Sequence, residues 1–324
     1  MTKVGMTTTI PVEIIYAAGL IPVDLNNVFI TGDNPQGLVE DAELAGYPRN
    51  VCAWIKGLYS TVLNRDDINI LVAVTQGDCS NTHALMETLE LAGIKVIPFA
   101  FPFDRDQDLL KLQLEKLMKY FNVGWKEVYE QKERLDRVRA KVWKLDELSW
   151  SENRVSGWYN HLFQVSCSDF EGDPEGFGAR VDEFLDNLGE PLENSGVRLG
   201  YIGVPPIMDD LYDYLEEKGA RVVYNEVQRQ FTMPFGTGDI VEQYRRYSYP
   251  YGIFYRLRDI KEECRKRRID GLIHYAQSFC YRQIEDLIIR QKVDIPVLTV
   301  EGDKPNRLDA RTKMRLDAFV DMLR

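Results

Sequence analysis

Apolar runs alternate with amphipathic, helix-length segments in the first hundred residues. Residues 68–74 form an almost entirely apolar run typical of a buried parallel strand, and apolar positions recur at helical spacing over 80–91. Two more strands are predicted at 21–25 and 95–101, with a helix over 46–64. Strands separated by helices indicate a parallel sheet that is covered by helices.

The same alternation returns after residue 196. The sequence predicts four further strands and a helix between most of them. The predicted strands are 198–204, 221–224, 271–275 and 295–300, and the helices include 208–218 and 253–268. Between the two alternating regions, charges are dense, glycine is sparse until Gly157, and apolar residues keep helical spacing. This middle stretch is therefore predicted to be a helical layer.

The predicted fold class is α/β, with two Rossmann- or flavodoxin-like parallel-sheet domains and a helical layer inserted between them. The predicted boundaries are 1–104 for the first α/β domain, 105–195 for the helical region and 196–324 for the second α/β domain. Within the first domain, a short helix is predicted over 11–18, and residues 28–30 are interpreted as a continuation of the strand at 21–25.

Two cysteines follow strands at corresponding places in the two α/β regions. Cys79 comes after the strand at 68–74, Cys280 comes after the strand at 271–275, and each precedes a predicted helix. Ligands of open α/β folds bind outside the carboxyl ends of parallel strands. The positive end of a helix dipole also favours a thiolate. The pattern therefore predicts a metal or redox centre between the two domains.

The other cysteines carry weaker signals. Cys264 falls in line with Phe254, Leu257 and Ile260 on an apolar helix stripe, which predicts a core position, and Cys167 is also interpreted as structural. Cys52 lies near the start of the 46–64 helix, where a core role and a functional role are equally consistent with the pattern. Its spacing from Cys79 matches no zinc or ferredoxin motif.

Composition narrows the classes of function. The 324 residues include 51 acidic and 40 basic side chains, which gives a formal net charge of −11. This balance argues against binding to nucleic acid or to a membrane surface. The sequence has no apolar stretch long enough to span a membrane and no signal-peptide pattern, and its five cysteines are an odd number. We therefore expect a cytoplasmic protein with reduced thiols.

Several separated segments resemble one known family in the same order along the chain. Residues 10–23 resemble the N-terminal signature of the 2-hydroxyacyl-CoA dehydratase family, which includes the cluster-binding subunits of 2-hydroxyglutaryl-CoA dehydratase and benzoyl-CoA reductase. Residues 270–280, 295–298 and 315–319 are also similar to that family. The resemblance implies a 4Fe–4S cluster at the domain interface.

The resemblance also implies the ligands and the chemistry of that cluster. The matching positions are Cys52, Cys79 and Cys280, so one of the four irons would have no protein thiolate. Such an iron can act as a Lewis acid and electron donor in one-electron chemistry on an acyl-CoA thioester. The implied reaction is the dehydration of a 2-hydroxyacyl-CoA or a related reduction, catalysed by a homodimer or together with a paralogous dehydratase subunit.

The electron is expected to come from a separate protein. The chain contains no G-x-x-x-x-G-K-[ST] motif, so it is not expected to hydrolyse ATP in that way. The resemblance implies an ATP-dependent iron–sulfur activator protein as a partner.

Three further residues are candidates for catalysis. His83 lies one turn into the helix after Cys79, where it could donate a proton. Ser80 could hydrogen-bond to a cluster sulfur or cap the helix, and Glu301 lies at the end of the last strand.

Other functions remain open on the sequence alone. The same cluster could serve a reductase or sulfur-handling enzyme that acts on a small molecule without coenzyme A. The chain could also be an electron-relay subunit without a substrate site, or a two-domain binder of small molecules that holds no metal.

Overall fold

The computed structural model describes residues 2–192 and 196–324, and its strands form two separate parallel sheets. The α/β fold class with two parallel sheets is therefore confirmed. The predicted boundary at residue 195 lies outside the described residues.

The first sheet has the strand order β2-β1-β3-β4. Every neighbouring pair in it is parallel, and Gly5 in the central strand faces Val23 on one side and Leu71 on the other. Its strands are β1 (Lys3–Met6), β2 (Ile21–Asp24), β3 (Ile68–Gln76) and β4 (Lys95–Ala100). The strand order reverses between β1 and β3, which is where open α/β sheets bind ligands.

The second sheet repeats this order as β6-β5-β7-β8, again with all neighbours parallel. Its strands are β5 (Val197–Ile202), β6 (Ala220–Asn225), β7 (Gly271–Gln277) and β8 (Val297–Gly302). The equivalent reversal lies between β5 and β7. The two sheets therefore carry their expected ligand-binding edges at corresponding strands.

Helices cover both sheets and form the middle layer. In the first half they are α1 (Val12–Ala17), α2 (Leu25–Thr31), α3 (Pro35–Leu44), α4 (Ala53–Leu63) and α5 (Thr82–Leu91). The middle layer consists of α6 (Gln107–Phe121), α7 (Trp125–Ser151), α8 (Gly157–Ser166) and α9 (Pro174–Asp186). In the second half they are α10 (Leu211–Glu217), α11 (Glu226–Gln230), α12 (Ile240–Arg246), α13 (Ile253–Lys266), α14 (Asp286–Lys292) and α15 (Ala310–Leu323). Short 3-10 helices lie at Phe170–Gly172 and Tyr281–Glu285.

The largest apolar core joins the middle layer to the first sheet. It contains Val72 and Phe99 from the sheet, Leu114 and Val142 from the middle helices, and Tyr247 from the second half of the chain. Burial of this shared surface fixes the first sheet, the helical layer and the 226–252 region relative to one another.

Local structure differs from the predictions at a few places. Residues 28–30 belong to α2 and do not continue a strand, because Asp24 ends β2 and its side chain accepts a hydrogen bond from the Asn26 backbone N–H as a helix cap. Phe254 is 64% exposed, so it does not share the buried stripe of Leu257 and Cys264. The short strand β1 was missed, since Gly5 and only four residues give little periodic signal.

Across residues 2–192 and 196–324, no helix combines the length and the apolar character that crossing a membrane requires.

Candidate functional site

A cavity of about 830 Å³ lies between the two sheets and is lined by both halves of the chain and by the helical layer. The segments that follow the central strands meet there. Thr7 follows β1, Cys79 follows β3, Val204 follows β5 and Cys280 follows β7. Both sheets thus direct the carboxyl ends of their central strands toward the same space, which is the expected ligand site of this architecture.

Three of the five cysteines line this cavity. Cys79 is the third residue after β3, Cys280 is the third residue after β7, and Cys52 is the N-cap residue of α4. Cys167 and Cys264 are buried and are not among the lining residues. The structure therefore brings together the three cysteines that the family resemblance singled out and separates them from the other two.

A tight turn positions Cys79. Gly77 has a φ of +101°, and a Cβ atom there would lie 2.6 Å from the Cβ of Pro250. Glycine is therefore needed for the backbone conformation and for the close approach of the second-half loop that carries Pro250. This contact ties the Cys79 loop to the other half of the molecule.

Burial controls the protonation of the three thiols. Desolvation raises the pKa of Cys52 and of Cys79 to about 12, and it also raises the pKa of Cys280. Backbone N–H groups at the following helices lower these pKa values by a smaller amount. The helix ends thus favour the thiolates in the expected direction, but the loss of water on burial is the larger effect. A positively charged group in the cavity would be needed to hold all three as thiolates.

The predicted catalytic residues lie outside the cavity lining. His83 is exposed, and its Nε2 lies 3.1 Å from the carbonyl oxygen of Thr75. Ser80 is exposed, and Glu301 is an exposed residue of β8 that pairs with Ala276. The catalytic roles of His83, Ser80 and Glu301 stay predictions.

Three carboxyl groups line the cavity instead. Asp24 and Asp169 are buried and were not selected by sequence reasoning, whereas Asp78 is partly buried and precedes Cys79 in the loop after β3. The backbone N–H of Asp24 donates to Asp169 Oδ2 at 2.7 Å, and Tyr249 donates its hydroxyl proton to Asp78 Oδ1 at 3.1 Å. Burial raises the pKa of Asp169 to about 7 and that of Asp78 to about 6, and it raises the pKa of Asp24 as well. Asp169 and Asp78 can therefore hold a proton near neutral pH.

A buried ion network supports the loop that carries Cys280. Arg256 contacts Glu226 and Glu285, and its Nε donates to Glu226 Oε1 at 2.6 Å. Arg282 donates to the carbonyl oxygen of Tyr249 at 2.8 Å. The Arg282 charge lowers the pKa of the neighbouring Cys280, although desolvation remains the larger effect. The loop is thus held by fixed positive charge close to a thiol.

Cations are also part of the cavity wall. Lys3 and Arg65 both contact Asp67 at distances below 3 Å, and Arg307 lies 3.4 Å from Asp210 Oδ2 with most of its side chain exposed. These side chains could bind anionic groups of a ligand.

Among the described residues, no group of three or more His, Cys, Asp and Glu side chains forms a site that could hold a metal ion.

Comparison with protein families gave a match over residues 7–323. The matching family is described as 2-hydroxyglutaryl-CoA dehydratase, D-component. A comparison with curated proteins gave no match.

Proposed function

The chain belongs to the 2-hydroxyglutaryl-CoA dehydratase D-component family, and from this premise we propose that it is the cluster-binding component of a 2-hydroxyacyl-CoA dehydratase-type enzyme. In this proposal Cys52, Cys79 and Cys280 ligate a 4Fe–4S cluster in the cavity between the sheets. The observation that supports it most is that these three thiols face one cavity, whereas the remaining two cysteines do not.

The donor set suits a polynuclear group. Thiolates are the usual protein ligands of iron–sulfur clusters, and in a 4Fe–4S cluster each thiolate binds a different iron. The iron charge would also offset the desolvation that otherwise keeps the thiols protonated.

When bound, the cluster would supply one electron and one iron that is open to a substrate oxygen. The chain's own residues would shield the reaction and manage the proton. Asp24 Oδ1 accepts a hydrogen bond from the Asn26 backbone N–H, and the Ser168 side chain also hydrogen-bonds to this carboxyl group. Burial raises the pKa of Asp24 beside Asp169, and in this proposal Asp24 would donate a proton to the hydroxyl group that leaves a 2-hydroxyacyl chain as water.

The proposed substrate is an acyl-CoA thioester. A cavity of about 830 Å³ is large enough for the acyl group and part of the coenzyme, and the wall cations Lys3, Arg65 and Arg307 fit its phosphates. The name of the family describes one component of an enzyme, so a partner is proposed as well: a second copy or a paralogous dehydratase subunit. An ATP-dependent iron–sulfur activator would supply the electron.

Anaerobic purification with iron and sulfide analysis tests the ligand set. We expect about four irons per chain in the wild type and a clear loss in Cys280→Ser, with the same result for Cys52→Ser and Cys79→Ser. Cys264→Ser is the matched control, because Cys264 is buried on α13 away from the cavity, and it should keep the full complement. A Cys280→Ser protein that retains four irons would refute the assignment.

Binding of acyl-CoA esters tests the substrate class separately. Titration calorimetry of the iron-loaded protein with a 2-hydroxyacyl-CoA should give a saturable signal. A protein that holds the cluster but binds no CoA ester would instead be a reductase for another small molecule or a relay subunit.

A further inference from the structure

One face of α8 forms a wall of the cavity. Trp158, His161, Leu162 and Val165 all line the cavity and recur every three or four residues, so they share one side of the helix. The wall is apolar except for the His161 ring, which is 8% exposed. Among these four side chains, only the His161 imidazole has two ring nitrogens, so one of them can contact the protein while the other contacts a ligand.

Nδ1 of His161 lies in a buried polar network. The side-chain N–H of Gln228 lies 3.2 Å from Nδ1 and 3.3 Å from the Tyr212 oxygen. The Tyr212 oxygen lies 3.1 Å from Nδ1, and Tyr212 donates its own proton to Asn225 Oδ1 at 2.8 Å. Nδ1 can accept from Gln228, which places the ring proton on Nε2, or donate to the Tyr212 oxygen, which places it on Nδ1.

The ring is held neutral and in a fixed orientation. Burial lowers the pKa of His161 to about 3, and no charged side chain contributes to that shift. The ring stacks on Trp158 at a centroid distance of 5.5 Å and lies 4.9 Å from the Tyr212 ring. In the described part of the chain, Nε2 has no hydrogen-bond partner, so this nitrogen is available to a ligand in the cavity.

We propose that His161 carries its ring proton on Nε2 and binds the acyl part of the substrate by donating that proton to the thioester carbonyl oxygen, since a carbonyl can only accept. This inference rests on the proposed function, because it assumes a CoA thioester in the cavity. A neutral donor among Trp158, Leu162 and Val165 suits an uncharged acyl group, whereas phosphates are better served by the cations elsewhere in the lining. A fixed donor also binds more strongly as negative charge develops on the carbonyl oxygen.

Paired ligands isolate this hydrogen bond. Butyryl-CoA has the carbonyl, and S-butyl-CoA has a methylene in its place, so only the first can accept from His161. In the iron-loaded protein, His161→Phe should weaken butyryl-CoA binding about tenfold and leave S-butyl-CoA binding unchanged. His161→Gln, which can place an amide N–H near the position of Nε2, should recover much of the affinity. Tyr159→Phe, on the exposed side of α8, should change neither affinity.

The outcomes separate this inference from the proposed function. Equal effects of His161→Phe on both ligands, or no effect on either, would overturn the role of His161 in a protein that does bind CoA esters. A wild type that binds neither ligand would refute the proposed substrate class, and with it the carbonyl contact. The tautomer has its own test: ¹⁵N NMR of histidine-labelled protein should show a neutral His161 ring with its proton on Nε2, and a proton on Nδ1 would overturn the donor assignment.

Discussion

The two halves of the molecule share one plan and differ in the chemistry that they place on it. Both sheets have the same strand order, and their third strands end at Gln76 and Gln277. A cysteine follows three residues later in each case, as Cys79 and Cys280. The equivalence of these positions explains why both thiols reach the same cavity.

The correspondence fails at the helix that precedes the third strand. In the first half this helix is α4, and its N-cap residue is Cys52; in the second half it is α13, and its N-cap residue is Gly252. The first half therefore supplies two of the three cavity thiols, and the second half supplies one. In the proposed function, three thiols would leave one iron of the cluster without a protein thiolate.

A second difference concerns acid groups. The second strand of each sheet ends at a residue that is the N-cap of the next helix, and that residue is Asp24 in the first half and Asn225 in the second. Asp24 contributes a buried carboxyl to the cavity, whereas Asn225 accepts the hydroxyl proton of Tyr212 in the network behind His161. The first half therefore places a carboxyl group in the cavity, whereas the second half places an uncharged amide behind the His161 ring.

The largest expected effect on stability comes from removing a buried cation, and α4 and α13 each carry one. Lys56 and Arg256 are each the fourth residue of their helix, and both are 1% exposed. Arg256→Met would leave Glu226, which is 1% exposed, without its partner and should lower the free energy of unfolding by about 3–5 kcal/mol. Urea unfolding measures this loss.

Lys56→Met serves as the matched variant. Its partner Glu43 is less buried and also contacts Lys304, so the remaining carboxylate is not left alone. We expect a loss of about 1 kcal/mol. Equal losses in Arg256→Met and Lys56→Met would show that the two networks are equivalent and that the second-half loop has no special support.

The next effect concerns pH. Burial raises the pKa of Asp24 and of Asp169, the latter to about 7, so the native state holds these protons more tightly than the unfolded chain. Their contribution to stability is greatest below the ordinary carboxyl pKa and is lost as the pH rises from about 4 to 7. The loss is on the order of 4 kcal/mol for Asp169, at 1.36 kcal/mol for each pKa unit. Asp24→Asn places at this N-cap the same residue type as Asn225 in the second half, and it should reduce the loss of stability with rising pH.

Urea unfolding at a series of pH values between 4 and 8 gives this dependence. Asp67→Asn is the control, since hydrogen bonds from Arg65 and Lys3 lower the pKa of Asp67 and its titration falls below that range. A pH dependence that is identical in Asp24→Asn and the wild type would contradict the account of the buried carboxyls.

The smallest effect concerns packing of α4. Gly57 occupies the place that Leu257 has in α13, and a Cβ atom at Gly57 would clash with the Phe29 ring. Gly57→Ala should therefore cost about 1–3 kcal/mol, measured by thermal or urea unfolding. Gly178→Ala in α9, where the added methyl meets only ordinary contacts, should be neutral or slightly stabilising. A neutral Gly57→Ala would mean that Phe29 can move away freely.

The predictability of the site depends on how local each signal is. Cys79 and Cys280 could be selected because they follow clear apolar runs, and strand ends mark the binding edge of any parallel sheet. Asp169 and His161 could not be selected, because His161 lies in the middle of α8 and Asp169 lies in the short connection after it, with nothing in their neighbours to mark a cavity. Their role becomes visible only when α8 lies against both sheets.

The sequence by itself determined the two parallel sheets, the helical middle and the two cysteines at strand ends, because periodicity and apolar runs are properties of neighbouring residues. Tertiary structure alone decided that Cys52 joins those cysteines, that burial outweighs the helix ends at all three thiols, and that Asp24 meets Asp169. Desolvation and contacts between distant segments depend on how the layers pack, and no local pattern in the chain encodes that packing.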